Sequence, residues 1–309
     1  MTLPFQITVP GSSANLGPGF DSVGLAVNRY LTLTVTEGSE WHFSTQSADL
    51  VGIPSGKENL VYQVAEHVAS QLEKTLPPCH VQMESNIPLA RGLGSSAAAI
   101  VAGIELANQL LGQPLAAEDK VRFGSLWEGH PDNIAPSVYG GLVIGTHLST
   151  ETHVIHGGVP DLDLVLLVPK EELLTKKARG ILPESLSYKE AVRGSSVSNV
   201  LVAALLKENW ELVGEMMVRD VFHHPYRLGL VPHLQEVIRY VKEETEAYGA
   251  ALSGAGPTML CLSPKGRGEW VQKQLQKQYP QFEVDVLKPD DQGIQVHRVL
   301  SNQQQLPIG

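Results

Sequence analysis

The sequence predicts a two-part protein of mixed α and β structure, and three observations carry that reading. The chain has 309 residues, a length that ordinarily divides into about two domains. Short apolar runs of strand character take turns with longer stretches that are apolar every three to four residues, so strands and helices are interleaved. A stretch over 148–163, where Thr150, Thr152, Gly157-Gly158 and Pro160 cluster, interrupts the pattern near the middle,. The boundary is placed there, giving segments 1–155 and 156–309.

Composition narrows the function classes. Apolar residues make up 42% and charged residues 18%, as in an ordered globular chain. The net charge of −10 argues against a nucleic-acid or acidic-membrane surface, so an anionic substrate would need local devices: helix N-termini, a few arginines, a metal. Two cysteines, Cys79 and Cys261, make neither a disulfide framework nor a zinc site. The N-terminus lacks a signal core, and no apolar run approaches the roughly 20 residues that span a bilayer. A cytoplasmic protein is expected.

Residues 5–10 read as a short strand stopped by Pro10. Gly11 to Ser22 is rich in small and turn residues and reads as a loop carrying Asn15 and Asp21,. Residues 23–36 alternate cleanly as a half-buried strand, with Trp41–Ser44 as its hairpin partner. An amphipathic helix over 59–75 has Leu60, Val64, Val68 and Leu72 on one stripe and Asn59 as N-cap,. His80–Glu84 is a strand, Ser96–Leu111 a helix, Gly112-Gln-Pro114 a turn, and 117–127 a further helix. Glu128-Gly-His-Pro-Asp-Asn133 then concentrates four side chains able to bind metal, move protons or position substrate; a turn with self-capping Asp and Asn is the plainer reading. Leu142–His147 is a strand.

In the second half, Leu164–Val168 is continuously apolar, as in a strand buried on both faces. Thr175-Lys-Lys-Ala-Arg179 is a basic patch in an acidic chain. Helices are expected over 184–206, 209–218, 231–246 and 267–278. Asp220 to Arg227 is a polar turn in which His223 and His224 are expected to be exposed. Ala250 to Pro257 joins two strands by a glycine-rich turn able to act as an anion nest. Strands over 282–287 and 294–300 close the fold, and the tail beyond Leu300 is expected to fray.

The chemistry is concentrated in one stretch: Pro88, Leu89, Ala90, Arg91, Gly92, Leu93, Gly94, Ser95, Ser96, Ala97 and Ala98. A glycine-rich turn delivered onto a helix N-terminus presents free N–H groups backed by the helix dipole, a trap for phosphate. Ser95 and Ser96 can cap the helix, touch phosphate or ligate Mg²⁺. Gly92-Leu-Gly-Ser-Ser-Ala97 also fits the dinucleotide fingerprint, but the preceding strand is polar and no second strand ending in an acid follows at the required spacing. The phosphate-loop pattern ending in Gly-Lys-Ser/Thr fails because no lysine follows Gly94. A nucleoside triphosphate is the expected ligand.

Three motifs in fixed order resemble the GHMP kinases: Pro10 to Asp21, Pro88 to Ala98, and Leu252-Ser-Gly-Ala-Gly-Pro257. With Gly129-His-Pro-Asp-Asn133, Thr175 to Arg179 and Pro225-Tyr-Arg227, the likeness points to the homoserine kinase branch and covers residues 6 to about 300. The resemblance implies an α+β fold with two lobes, a ribosomal-protein-S5-like N-terminal lobe that binds ATP and a ferredoxin-like C-terminal lobe that contributes substrate-binding residues. It implies ATP with Mg²⁺, phosphorylation of the side-chain hydroxyl of L-homoserine for threonine synthesis, and a homodimer.

Residue roles follow by motif. Residues 88–98 match the ATP loop, and Asn59 lies in the part that borders the adenine. Ser96 and Glu128 match the metal ligands, although only Gly129 separates Glu128 from His130, a shorter spacing than in many members. Arg179 and Arg227 match the carboxylate-binding positions with Thr175 beside them, Asp21 pairs with the ammonium, Asn15 and His130 orient the amino or hydroxyl end, and Gly254 completes the substrate set. Asn133 occupies a position where related kinases carry an aspartate base. The expectation is therefore in-line transfer assisted by Asn15, Asp21 and Asn133 without a dedicated base, with Asp21 and Asp132 as fallback bases.

Overall fold

The computed structural model describes residues 3–112 and 115–298. The turn expected at Gly112-Gln-Pro114 lies partly outside those residues, as do the end of the 294–300 strand and the tail beyond Leu300.

The chain opens with β1 (Phe5–Ala14), β2 (Val23–Glu37) and β3 (His42–Thr45), followed by α1 (Leu60–Gln71), β4 (Cys79–Ser85), α2 (Ser95–Leu111), α3 (Ala117–Glu128), α4 (Ile134–Tyr139), β5 (Leu142–His147) and β6 (Thr152–His156). Next come β7 (Leu162–Val168), α5 (Thr175–Gly180), α6 (Tyr188–Leu206), α7 (Trp210–Met217), α8 (His224–Arg227), α9 (Leu234–Glu244), β8 (Gly249–Leu252), β9 (Met259–Pro264), α10 (Gly268–Gln278), β10 (Glu283–Leu287) and β11 (Gln295–Arg298). Among the described residues the strands form two sheets. The first has seven strands, along β11-β1-β2-β4-β3 with β5 and β6 continuing from β2; the second has four, ordered β10-β7-β9-β8. Helix and sheet content is thus that of an α+β fold.

The second sheet explains the continuous apolar run. Leu162, Leu164, Leu166 and Val168 join the core shared with the first sheet, while Val165 and Leu167 join a separate core against α9 and α10. Alternate side chains face opposite ways, so a strand covered on both faces is apolar from Leu164 to Val168; its one acid, Asp163, is buried and accepts from Gly268 N at 2.9 Å,. Asn59 caps α1 as expected, its Oδ1 accepting from Val61 N at 3.0 Å, a contribution of about 1 kcal/mol. β11 returns from the far end of the chain to pair with β1.

Three expectations change. β1 does not stop at Pro10: it runs on to Ala14 through a register shift between Pro10 and Gly11. A bulge accommodates a residue with no N–H to give, so the first third of the expected loop, Gly11 to Ala14, is strand,. β3 is not the hairpin partner of β2; it pairs in parallel with β4. His223 and His224 are buried rather than exposed, His223 against Gly17 and Phe20 of the loop that follows β1 and His224 against Leu252 at the end of β8. A strand that periodicity did not reveal, β6, pairs with β5.

Candidate active site

The glycine-rich stretch sits between β4 and α2, with Gly94 as the helix N-cap at φ 70°. Gly92 is at φ 82°. A Cβ on Gly92 would meet Ser253 O at 2.3 Å, and one on Gly94 would meet Ser12 Oγ at 2.3 Å. Left-handed backbone and close approach both demand glycine at these positions. The carbonyls of the loop are tied to its neighbours: Leu173 N donates to Ala90 O at 3.0 Å, Thr258 N to Arg91 O at 3.3 Å, and Ser12 N to Leu93 O at 3.1 Å. Ser253 Oγ donates to Gly92 O at 2.6 Å. The amides of Gly94, Ser95 and Ser96 find no acceptor among the described residues and stand at the positive end of a 17-residue helix. That is a site for an anion.

Two cavities meet at Ser95 and Ser96. One, of about 260 Å³, is an apolar slot lined by Leu31, Leu50, Ile53, Val61, Met83, Ile87, Leu89 and Ala99, with Asn59 in its wall. It suits a flat heteroaromatic ring. Asn59 shapes it; beyond capping α1, its Nδ2 donates to Pro54 O at 2.9 Å.

The other cavity, of about 240 Å³, is polar and holds Asn15, Asp21, Glu128, His130, Asp132, Asn133, Thr175, Arg179, Arg227 and Gly254 together with residues of the glycine-rich turn. Its wall includes the loop after β1, where Asn15, Leu16 and Asp21 all take positive φ (75°, 47° and 55°), a concentration of strain of the kind that fold contacts must hold in place. Asn15 is one such contact. Its Nδ2 donates to Gly254 O at 3.1 Å and its Oδ1 accepts from Asp21 N at 3.0 Å. Arg179, from α5, reaches across and pairs with both carboxylate oxygens of Asp21 at 2.6 and 3.1 Å. Thr175, exposed at the first position of α5, lines the same space.

Arg227 is 1% exposed. Its Nε donates to Ala178 O at 3.2 Å and its NH1 to Gly254 O at 2.9 Å. Burial, with the charge of Arg179, pulls it down to about 10, so it stays cationic at neutral pH. Both guanidiniums lie over the Phe20 ring, each 5.6 Å from its centre, a contact that favours cations beside an aromatic face.

Glu128, at the end of α3, is held above its ordinary pKa by burial, reinforced by Asp132 and opposed by His130 and Arg179. His130 Nδ1 lies 2.5 Å from Asp132 Oδ1. Burial pulls His130 down, but that hydrogen bond and the charges of Asp132 and Asp21 outweigh it and hold the imidazolium above its usual range. Asn133 Oδ1 accepts from Ser12 Oγ at 2.9 Å. A divalent cation takes hard oxygen donors, one or two carboxylates together with phosphate oxygens. Ser96 and the carboxylate of Glu128, largely withdrawn from water, face the same cavity as the anion-binding amides, and this donor set fits Mg²⁺.

The tertiary structure thus brings the motif residues from six separate segments into one cleft. Within the glycine-rich stretch the residues divide. Ala90, Gly92, Gly94, Ser95, Ser96 and Ala97 line the polar cleft, Leu89 lines the apolar slot, and Ala98 is buried behind them. Pro88, Arg91 and Leu93 line a different cavity behind the loop. The Arg91 guanidinium donates to the carbonyls of Leu89, Pro169 and Lys170 at 3.0–3.2 Å. Phe20 escaped sequence reasoning because an apolar residue carries no chemical signature of its own. His223 was visible as a histidine but not as a member of the site.

Residues 59–141 match the GHMP kinase N-terminal domain and residues 201–281 the GHMP kinase C-terminal domain. The chain is 55% identical to a homoserine kinase of Shouchella clausii over 94% of its length and 97% of the relative's. It is 55% identical to one of Bacillus pumilus over 97% and 96%. A crystal structure of homoserine kinase from Cytophaga hutchinsonii superposes with a TM-score of 0.83 at 29% identity, covering 96% of this chain and 98% of that one. A mevalonate kinase at 16% identity and a TM-score of 0.69 shares the fold.

Proposed function

Because this enzyme belongs to the GHMP kinases, in their homoserine kinase branch, we propose that it transfers the γ-phosphoryl group of ATP to the side-chain hydroxyl of L-homoserine, in the cytoplasm and in the course of threonine synthesis. One observation supports this most directly. The same cleft offers anion-binding amides at one end and, at the other, two guanidiniums, a carboxylate and a polar wall, the complement of an amino acid with a terminal hydroxyl. Mevalonate has no ammonium to draw Asp21 away from Arg179.

Asp21 and Arg179 satisfy each other while the cleft is free. Homoserine enters that pair: its carboxylate takes Arg179, Arg227 and Thr175, and its ammonium takes Asp21. Asn15 has one Nδ2 hydrogen committed to Gly254 O and turns the other toward the hydroxyl, with His130 beside it. The triphosphate lies on the amides of residues 92–96 with its adenine in the slot walled by Asn59. Ser96 and Glu128 would hold Mg²⁺, which when bound neutralises charge on the phosphates.

No free base faces the hydroxyl on this reading. Asp21 is paired with Arg179 and Asp132 with His130, and Asn133 is an amide. The hydroxyl oxygen bonds to the γ-phosphorus as the bridging bond to ADP breaks, and its proton passes to a phosphate oxygen. Positioning by Asn15, Asp21 and Asn133 supplies the catalysis. The lobes divide near residue 155, with 1–155 carrying the ATP site and 156–309 contributing Thr175, Arg179, Arg227 and Gly254, and the working unit is a homodimer.

A coupled assay of ADP release across homoserine, mevalonate, galactose and shikimate tests the substrate: turnover is expected with homoserine, and none with it would end the proposal. Loss of ~10³ or more in kcat for Asp21→Asn or Asp132→Asn, with the homoserine KM unchanged, would restore a protein base.

A further inference from the structure

Asp220, His223 and His224 form a buried cluster of acid and imidazole groups for which the reaction outlined above has no use. A metal is excluded there by the hydrogen bonds. Asp220 Oδ1 accepts from Phe222 N at 2.8 Å, and its Oδ2 accepts from the backbone amides of His223 and His224 at 3.0 and 2.6 Å, so this carboxylate caps α8. The two nitrogens of His223 are also both engaged, and their partners fix its state. Nε2 lies 2.9 Å from Gly17 O, and a carbonyl can only accept, so Nε2 carries the proton. Nδ1 lies 3.0 Å from Arg227 NH1, and a guanidinium can only donate, so Nδ1 presents its lone pair. Both contacts hold together only in the neutral ring. The ring is 0% exposed and stacks on Phe20 at 5.2 Å.

These contacts all lead to the cleft. Gly17 and Phe20 belong to the loop that carries Asn15 and Asp21, and Arg227 is one of its two cations. With Nε tied to Ala178 O, and NH1 shared between Gly254 O and His223, NH2 is left without an acceptor among the described residues, in a side chain that lines the cleft. We propose that His223 is a positioning residue: it locks the Arg227 guanidinium to the loop bearing Asn15 and Asp21, and so sets where the substrate carboxylate lies relative to the ammonium and hydroxyl. Burial, followed by the charges of His224 and Arg227, holds His223 far below its usual pKa, in keeping with a ring that serves as a fixed acceptor and takes no part in proton transfer. The proposal rests on the homoserine reading of the cleft.

The test is steady-state kinetics with both substrates varied. His223→Leu removes both contacts at similar bulk. Its homoserine KM is expected to rise about 10- to 100-fold, the consequence of leaving a buried charged group without its acceptor, while the ATP KM stays within about twofold. His223→Asn places Oδ1 where Nδ1 accepts and is expected to recover most of the loss. His223→Gln keeps a donor for Gly17 but not the acceptor, and is expected to stay impaired. If His223→Leu does not fold, the Asn and Gln variants carry the comparison. Equal rises in both KM values, a homoserine KM unchanged in His223→Leu, or an Asn variant no better than Gln would each overturn the proposal. Failure of the unsubstituted enzyme to phosphorylate homoserine would instead remove the reading beneath it.

Discussion

Replacing Gly94 by alanine tests the origin of the phosphate site at a single atom. The added Cβ meets two costs. An alanine at φ 70° is in the left-handed region, at about 1–2 kcal/mol. The Cβ would also lie 2.3 Å from Ser12 Oγ, so that hydroxyl must swing away and release its 2.9 Å bond to Asn133 Oδ1, a further loss of about 1 kcal/mol. The loop can respond by keeping its shape at the expense of global stability, or by turning over and losing the amide cradle. The two responses share one total, so the loss in unfolding free energy and the loss in kcat/KM for ATP should sum to about 2–3 kcal/mol, which as activity alone is about 30- to 150-fold. Urea denaturation and the coupled ADP assay measure the two parts. Ser12→Ala removes the obstructing oxygen but leaves the backbone strain, so Ser12→Ala with Gly94→Ala should cost less than the two single changes added together. A Gly94→Ala enzyme within about 0.5 kcal/mol of the parent on the combined measure, or strict additivity with Ser12→Ala, would refute the reasoning.

Glu128→Gln should lower kcat by about 10²-fold and raise the Mg²⁺ concentration needed for half-maximal rate, as expected on removal of a metal-neutralising carboxylate; a magnesium titration of the variant checks it. Ala99→Phe should fill the apolar slot and raise the ATP KM by about tenfold or more while leaving the homoserine KM within about twofold, read from the same two-substrate kinetics. The stability of the protein should fall in mild acid. Burial, with Arg227 and against Asp220, pulls His224 down to about 4, below its unfolded value near 6.5. The unfolded chain therefore binds the proton first, and the stability this group contributes is complete above about pH 6.5 and is lost as pH falls from there toward 4. Denaturation midpoints between pH 4.5 and 7.5 should show that decline, and His224→Gln should make it shallower, the remainder coming from the equally buried His223,.

Much of the site was legible in sequence because its devices are local. Gly92, Gly94 and the small residues after them describe a tight turn onto a helix wherever the rest of the chain goes, and Asn59 caps α1 through a contact two residues away. The alternating and continuous apolar runs gave most strands and helices for the same reason. Contacts remote in sequence were not legible. Pro10 looks like a strand stop when only its neighbours are considered, yet the pairing with β2 carries the strand past it through a bulge. Trp41–Ser44 lies nearest β2 in sequence, but β3 pairs with β4. His223 resembles an exposed polar residue until the loop from Asn15 to Ser22 is laid over it, and Arg91, expected at the phosphates, is drawn to carbonyls almost eighty residues away.

The sequence by itself determined which chemistry was available: a glycine-rich turn leading into a helix, two arginines, two kinds of carboxylate and the amide of Asn133. Only the tertiary structure decided which of these groups face one another. Asp21 and Arg179 are 158 residues apart and yet form a two-pronged ion pair, and His223 becomes an acceptor for Arg227 because the overlying loop supplies the carbonyl that fixes its proton. Hydrogen bonds and charge pairs act over a few ångströms, so a residue's protonation and orientation are set by its neighbours in space, and those are known only once the chain has folded back on itself.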